Sequence, residues 1–335
     1  MKLWFSILII LFTTQSVAQT AIKSPFELHK EDSLLQKPSN INFSKRKKVF
    51  LTAGITSYTT MATSLYFAWY RQFETRRFHF FDDWGEWERM DKAGHIYSAY
   101  IQAELVHELS GWAGYDEGQA LLLGSLSSIA GQLTIEIMDG FSSGWGFSVT
   151  DLGANIIGTG GFYLQQKHWG EQRLRMKMSY WPVDYDTAPV HSESGFLNMS
   201  LHDRSRALYG TSGIERFLKD YNGQTIWISA NIKSFLPDSH WPDWLSLALG
   251  YSGHNLYGGF SNQWAINDET FTVDNISQPR SGQLVLALDY DFSKIKARRP
   301  FPQTLLKVMN IFKWPAPGVS YDRERGVVFH LVYKN

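Results

Sequence analysis

"RLRMKMSY", residues 173–180, sets Leu174, Met176, Met178 and Tyr180 against Arg173, Arg175, Lys177 and Ser179. Strict alternation sends the two sets to opposite sides of an extended chain, so the segment reads as a strand. Upstream the spacing differs. Residues 89–110, 117–138 and 148–167 repeat with the 3.6 period of helices and are separated by turns such as "GWAGYDEG" and "DGFSSGWG". With the uncharged run "VFLTAGITSYTTMATSLYFAWY" at 49–70, they predict four helices. Downstream the alternation recurs at Ile226–Ile232, Leu245–Tyr251, Leu284–Phe292 and Val327–Tyr333, with opposite faces that are often small or polar, as at Ser246, Ala248, Gly250 and Ser252. The predicted fold class is therefore α+β: an N-terminal four-helix bundle with a polar centre, followed by an antiparallel β-sheet or small β-barrel. "FPQTLLKVMNIFKWPAPG" at 301–318 interrupts the strands with a short amphipathic helix suited to a sheet edge or a lipid surface. "LKDYNGQTIWIS" at 218–229 reads as a loop leading into a strand rather than a binding motif.

The N-terminus places this protein outside the cytoplasm. Lys2 precedes an apolar run from Leu3 to Phe12, and Ser16 and Ala18 follow, the pattern of a signal peptide cut after Ala18. The expected organisation is a signal peptide at 1–18, a polar linker at 19–47, a helical bundle domain at 48–170 and an antiparallel β-rich domain at 171–335. Three placements follow: periplasmic against a membrane surface, inner membrane, or outer membrane. Lys45, Arg46, Lys47 and Lys48 would stand on the exported side of an inner-membrane helix, against the usual charge bias, which disfavours the second.

Composition narrows the partners. The 335 residues carry 32 basic and 32 acidic side chains, with no basic stripe of the kind a phosphate backbone requires, so nucleic acid is not an expected partner. Aromatic residues make up 15% of the chain and include 13 Trp, a bias familiar at membrane interfaces, and the expected partner is a membrane or envelope lipid surface. Cysteine is absent, which removes disulfides, thiolate nucleophiles and thiolate metal ligands.

The three downstream helices carry polar stripes: Asp91, His95, Ser98 and Gln102; Ser125, Ser128, Gln132, Glu136 and Asp139; Ser148, Asp151, Asn155 and Thr159. Glycines at 124, 131, 153 and 158 permit close helix approach, so the stripes are expected to converge inside the bundle. Unpartnered buried carboxylates would cost several kcal/mol each. Convergence therefore demands pairing, protonation or a cation. The expected polar centre comprises Asp91, His95, Glu136, Asp139, Ser148, Asp151 and Asn155, with a divalent metal ion as a candidate cofactor at His95, Glu136 and Asp151. The alternative is a structural network in which His95 is held by a carboxylate. Ser148 or Ser142 with His95 and Asp151 would make an acyl-transfer set, but no G-x-S-x-G elbow surrounds either serine, and Ser148 reads as a helix N-cap. Glu104, His107 and Glu108 read as a solvated helix end, because a di-iron bundle needs a second E-x-x-H pair.

"DKAGH" at 91–95, "EIMDG" at 136–140 and "FSVTDLGANIIGTG" at 147–160 resemble the motifs of the YfiM-like family, described as predicted periplasmic lipoproteins of unknown function. The order of these motifs also resembles VanZ-like membrane proteins. The resemblance covers about residues 80–170 and implies an envelope location. It supplies no catalytic residues, and this sequence has no Cys to acylate. Two functions follow: a structural or binding component of the envelope with a buried His/carboxylate network, or a membrane-proximal metal-dependent or acid–base enzyme acting on lipid or cell-wall material.

Overall fold

The computed structural model describes residues 42–276 and 278–334. The expected signal peptide and the linker up to residue 41 lie outside the described residues. The first helix, α1 (Phe43–Leu65), starts ahead of the expected boundary at 48, because the Asn42 side chain caps it by accepting from the Lys45 backbone N–H at 2.9 Å. The basic cluster thus belongs to the first turns of a helix. α1 leaves through one π-helical turn, Tyr66–Tyr70.

Three longer helices follow where the 3.6 period placed them: α2 (Met90–Ala113), α3 (Glu117–Gly140) and α4 (Val149–Trp169). Their starts are chemically specified. Asp116 and Gln119 form a reciprocal capping box on α3, and Ser148 accepts from the Asp151 N–H to cap α4. α2 lies between α3 and α4 at close range: a Cβ at Gly124 or Gly158 would run into the backbone carbonyl of Ala103 or Ile96, respectively. Among the described residues α3 alone is long and apolar enough to cross a membrane by length and composition.

The second half begins with β1 (Leu174–Tyr180) and a short ribbon, β2 (Pro189–His191) with β3 (Asn198–Ser200). Two short helices, α5 (Leu201–Tyr209) and α6 (Gly213–Lys219), lead to β4 (Gln224–Ala230), one-turn α7 (Ile232–Phe235) and β5 (Leu245–His254). The ribbon β6 (Gln263–Ile266) with β7 (Glu269–Thr272) precedes β8 (Ser281–Tyr290). The amphipathic segment forms α8 (Pro300–Met309), and the hairpin β9 (Gly318–Asp322) and β10 (Gly326–His330) ends the fold. The protein is α+β. Its main sheet has six antiparallel strands in the order β1-β4-β5-β8-β9-β10, and the two edge strands do not pair with each other, so it is an open sheet rather than a closed barrel. The outer edge of β1 is covered by Ile311–Lys313, through Met178 N–H to Ile311 O at 3.3 Å and Lys313 N–H to Met178 O at 2.8 Å.

The expected boundary near residue 170 does not divide the core. Tyr97, Tyr100 and Ile101 of α2 pack in one cluster with Met178, Tyr221, Ile226 and Ile311. Tyr97 OH donates to Ile311 O at 3.2 Å, and Tyr251 OH to Glu88 O at 2.6 Å. The expected solvated end of α2 is also tied to the β half. Glu104 pairs with Arg175 at 2.5 Å and Glu108 with Lys307 at 2.9 Å, while the His107 side chain is buried against Phe162.

The sheet faces are distributed in an unusual way. Lys177, Thr225, Ser229, Ser252, Asp289 and Ser320, which the alternation assigns to the small or polar side, are buried, covered by Asn310, Lys313 and Tyr333. The apolar side packs on α2 only near Met178 and Ile226; Ile228, Leu249, Leu284, Leu286, Val327 and Phe329 are exposed. The helices repeat this arrangement, with Leu122 and Leu126 of α3 and Ile156 and Ile157 of α4 facing out while their polar stripes face in. Both structural classes therefore keep ordinary apolar cores, at Tyr97, Ile101 and Phe162 and at Trp227, Val285 and Ala287, yet leave a further set of leucines and isoleucines facing out.

Candidate functional site

The polar stripes of α2, α3 and α4 meet. Ser128 Oγ donates to Ala99 O at 2.8 Å and lies 2.8 Å from Thr159 Oγ1, while Gln132 Nε2 donates to Gln102 Oε1 at 3.0 Å. One end of this seam is charged. Asp91 and Asp151 stand in the first turns of α2 and α4, where the helix dipole favours anions. Lys92 extends between them. Its Nζ lies 2.6 Å from Asp151 Oδ1, 2.8 Å from Asp83 Oδ2 and 3.3 Å from Asp91 Oδ2, and all four residues are largely shielded from solvent. Asp83, in the loop before α2, is held by Ser148 Oγ at 2.6 Å and Thr150 Oγ1 at 2.8 Å. Tyr221, between α6 and β4, closes the site from the β half by donating its hydroxyl proton to Asp91 Oδ1 at 2.7 Å.

His95 sits one turn inside. Its Nδ1 is 3.1 Å from Asn155 Oδ1 and 3.7 Å from Glu136 Oε1; its Nε2 is 3.6 Å from Asp151 Oδ2 and 3.9 Å from Asp91 Oδ2. Burial pushes the imidazole down to about 4, against the pull of Asp91 and with the help of Lys92. The ring is therefore neutral at pH 7. The hydrogen bond to the Asn155 oxygen places its proton on Nδ1, leaving Nε2 as an acceptor facing Asp151. Burial first, then the Asp91 and Glu136 charges, push the Asp151 carboxyl up to about 10 against the pull of Lys92. Asp91 goes the other way: burial, which alone would raise it, is outweighed by surrounding positive charge, Lys92 included, and by the Tyr221 hydrogen bond, which hold it below the ordinary carboxylate range. Lys92 is held above its ordinary range because Asp91, Asp151 and Asp83 outweigh its burial. At neutral pH the centre thus contains ionised Asp83 and Asp91, protonated Asp151, neutral His95 and a charged Lys92.

This geometry gathers Asp91, His95, Glu136, Ser148, Asp151 and Asn155, and separates Asp139 from them. Asp139 is at the end of α3 and accepts from Tyr70 OH at 3.0 Å, in the contact between α3 and the segment after α1. Glu136 and Asp151 approach opposite nitrogens of His95, so those three side chains do not surround one point. The three donors that do cluster belong to Asp91, His95 and Asp151, within 4.8 Å of one another. Ser148 is the α4 cap and donates to Asp83, which removes it from a nucleophile's role beside His95. Ser142 supports the loop instead, accepting from Gly144 N–H at 3.2 Å.

Asp83, Lys92 and Tyr221 were not among the expected site residues. Lys92 lies inside the quoted "DKAGH" motif, so its signal was adjacency to Asp91; Asp83 and Tyr221 lie in segments without a period. The segment expected to be a plain loop into a strand supplies Tyr221 to the centre.

Residues 80–167 match the family model described as predicted periplasmic lipoprotein (DUF2279). The matched segment runs from the loop that holds Asp83 to the last turn of α4 and agrees with the family read from the motifs. It includes Asp83, Asp91, Lys92, His95, Glu136 and Asp151, and leaves out the neutral Tyr221 of the β half. No curated protein and no solved structure matches the chain.

Proposed function

From the match of its helical segment to a periplasmic lipoprotein family, a cell-envelope protein, we propose that this chain is a non-enzymatic envelope component. Its His/carboxylate centre is a closed network that locks α2, α3, α4 and the β half in register, and its outward apolar faces contact lipid. One observation carries the network reading: the Lys92 ammonium already stands where a cation would sit, within 3.3 Å of three carboxylates. A proton on Asp151 neutralises one of the three, so the ammonium faces two ionised carboxylates, Asp83 and Asp91. The lipid reading is supported by the exposed leucines of β5 and β8 and the exposed isoleucines of α4. With no cysteine to carry an acyl group, membrane contact has to come from such faces.

Elemental analysis and thermal unfolding of the purified full chain test this. The network reading expects no stoichiometric metal, no change in melting temperature on adding a chelator, and a large loss of stability in Lys92→Met. A second reading, a divalent ion used in acid–base chemistry on lipid or cell-wall material, draws on the clustered donors of Asp91, His95 and Asp151. An ion there would displace Lys92. One equivalent of metal, lost in His95→Ala, would overturn the network reading in favour of this one.

A further inference from the structure

α1 grips the bundle near its two ends and stands off between them. At the first end, Arg46 donates to Trp112 O at 3.3 Å with its guanidinium 5.0 Å from the Trp112 ring, and Lys47 Nζ is 4.4 Å from the Tyr115 ring. At the other, Met61 and Leu65 are buried with Ile135, and Tyr58 OH is 2.7 Å from Thr134 Oγ1. Between the grips lies a groove of about 380 Å³, lined by Ala53, Gly54 and Ser57 of α1, Val106 and Leu109 of α2, and Ala130 of α3. That volume falls in the range of small-molecule sites.

Midway along the groove α1 presents the small residues Ala53, Gly54 and Ser57, while larger apolar residues such as Val49, Ile55 and Met61 line the rest of its wall. Gly54 is costly inside a helix, by roughly 0.5–1 kcal/mol relative to Ala, yet a Cβ there would meet nothing within 4 Å. No close helix approach requires it. Of the polar side chains in the groove's wall, Gln102 spends its amide on Ser127 O at 3.1 Å and its oxygen on Gln132, and Tyr58 OH is taken up with Thr134. What remains is an apolar slot. From Val49 to Met61 the helix rise is about 18 Å, close to the roughly 15 Å of one leaflet's hydrocarbon depth, half the core thickness. Lys45 and Lys48 are exposed beside the Val49 end, and the other end has no basic residue in the last turn of α1. Charge is therefore supplied at one end of an apolar slot about one acyl chain long.

We propose that this groove binds a single acyl chain of an anionic lipid, with the headgroup at Lys45 and Lys48. This rests on the reading that the protein contacts lipid, and it names the lipid class and the place. The occupant is a chain rather than a helix of a second copy, because the slot is bounded by helices on both sides and carries its positive charge at one end.

The test uses the purified full chain with 1-palmitoyl-lysophosphatidylglycerol and its phosphatidylcholine counterpart, read by native mass spectrometry and titration. Saturable binding of one equivalent of the anionic probe is expected. Gly54→Leu with Ser57→Leu should abolish it while circular dichroism shows an intact fold, since Leu is the better helix former. Lys45→Ala and Lys48→Ala should each weaken the anionic probe about fivefold and leave the zwitterionic one unchanged. Absence of saturable binding, unchanged stoichiometry in the leucine variant, or equal affinity for the two headgroups would overturn the proposal. Flotation with phosphatidylglycerol vesicles separates the two readings. Flotation without lysolipid binding removes the groove alone; lysolipid binding without flotation removes the bilayer contact and keeps the groove.

Discussion

Two lysines are buried among carboxylates, one in the sheet and one in the helical centre, and the two sites are built differently. In the sheet, Lys177 Nζ meets Asp289 Oδ2 at 2.7 Å with both side chains fully buried, one cation to one anion. Neutral groups add to it: Lys177 also donates to Tyr290 O and Asn310 Oδ1, and Ser229 donates to Asp289 Oδ2. In the helical centre a single ammonium serves Asp83, Asp91 and Asp151. The sheet cluster is centred on a one-to-one contact, with buried Asp291 and Lys313 adding one further charge of each sign around it. The helical one depends on a proton on Asp151, so its stability is tied to pH and to the exact number of charges.

Deleting the lysines exposes that contrast most strongly. Lys92→Met and Lys177→Met should each cost about 3–5 kcal/mol in denaturant unfolding, because each leaves buried carboxylates without their cation. Rescue should differ. Adding Asp289→Leu to Lys177→Met removes the whole pair and should return stability to within about 1–2 kcal/mol of the parent, as replacing a buried pair with apolar groups often does. Adding Asp151→Asn to Lys92→Met should recover little, since Asp83 and Asp91 remain ionised and unpaired. Equal rescue at both sites would show that the helical centre is also centred on a one-to-one contact.

Next in size is the tether between the halves. Tyr221→Phe removes the hydroxyl that donates to ionised Asp91 and should cost about 1.5–3 kcal/mol, the range for a hydrogen bond to a charged group. The corresponding hydroxyl of the sheet cluster, removed by Ser229→Ala, leaves Asp289 still paired with Lys177 and should cost about 1 kcal/mol. If the serine proves the more costly of the two, Asp91 does not depend on the β half.

Much of this was legible in the sequence, for reasons the two clusters illustrate. Helices α2, α3 and α4 were readable from their polar stripes because Asp91 and His95, or Asp151 and Asn155, recur one turn apart on a single face. Strands β1, β5 and β8 were readable from alternation. Alternation says which residues share a face and is silent on which face is buried; the leucines of β8 were expected to form the half-buried side, whereas Asp289 and Gln283 are the buried ones. Asp139 follows Glu136 by three residues and shares its stripe, but α3 ends at Gly140 and Asp139 meets Tyr70 instead. Tyr221 was beyond reach for another reason. It meets Asp91 across 130 residues of chain, and a loop residue has no period to place it. Lys92 was hidden by its own length: its Cα lies off the Asp91–His95 stripe, and its flexible stem carries the charge back into it.

The last expected effect is a gain rather than a loss, and it is the most diagnostic. Asp151 is protonated at pH 7 in the folded state and ionised in the unfolded chain, so Asp151→Asn keeps a neutral group of similar shape while removing the cost of taking up a proton on folding, and should raise stability at pH 7. The pH profile should change too. A carboxyl with an ordinary value of 3.8 that is raised to about 10 when folded binds a proton in the native state that the unfolded chain has released. Across that window the native state holds more protons, so the parent loses stability as pH rises, by at most about 1.4 kcal/mol per unit. His95 acts in the opposite sense, but only between about 4 and its ordinary 6.5, where the unfolded state binds the extra proton and stability rises with pH. Above pH 7 the Asp151 contribution therefore stands clear of that of His95. Chemical denaturation of the parent between pH 7 and 8, below the range in which buried Lys313, lowered to about 8, acts in the opposite sense, should show a declining stability that Asp151→Asn flattens. A parent profile that is flat over that range would mean that Asp151 is ionised, with Lys92 alone balancing three carboxylates.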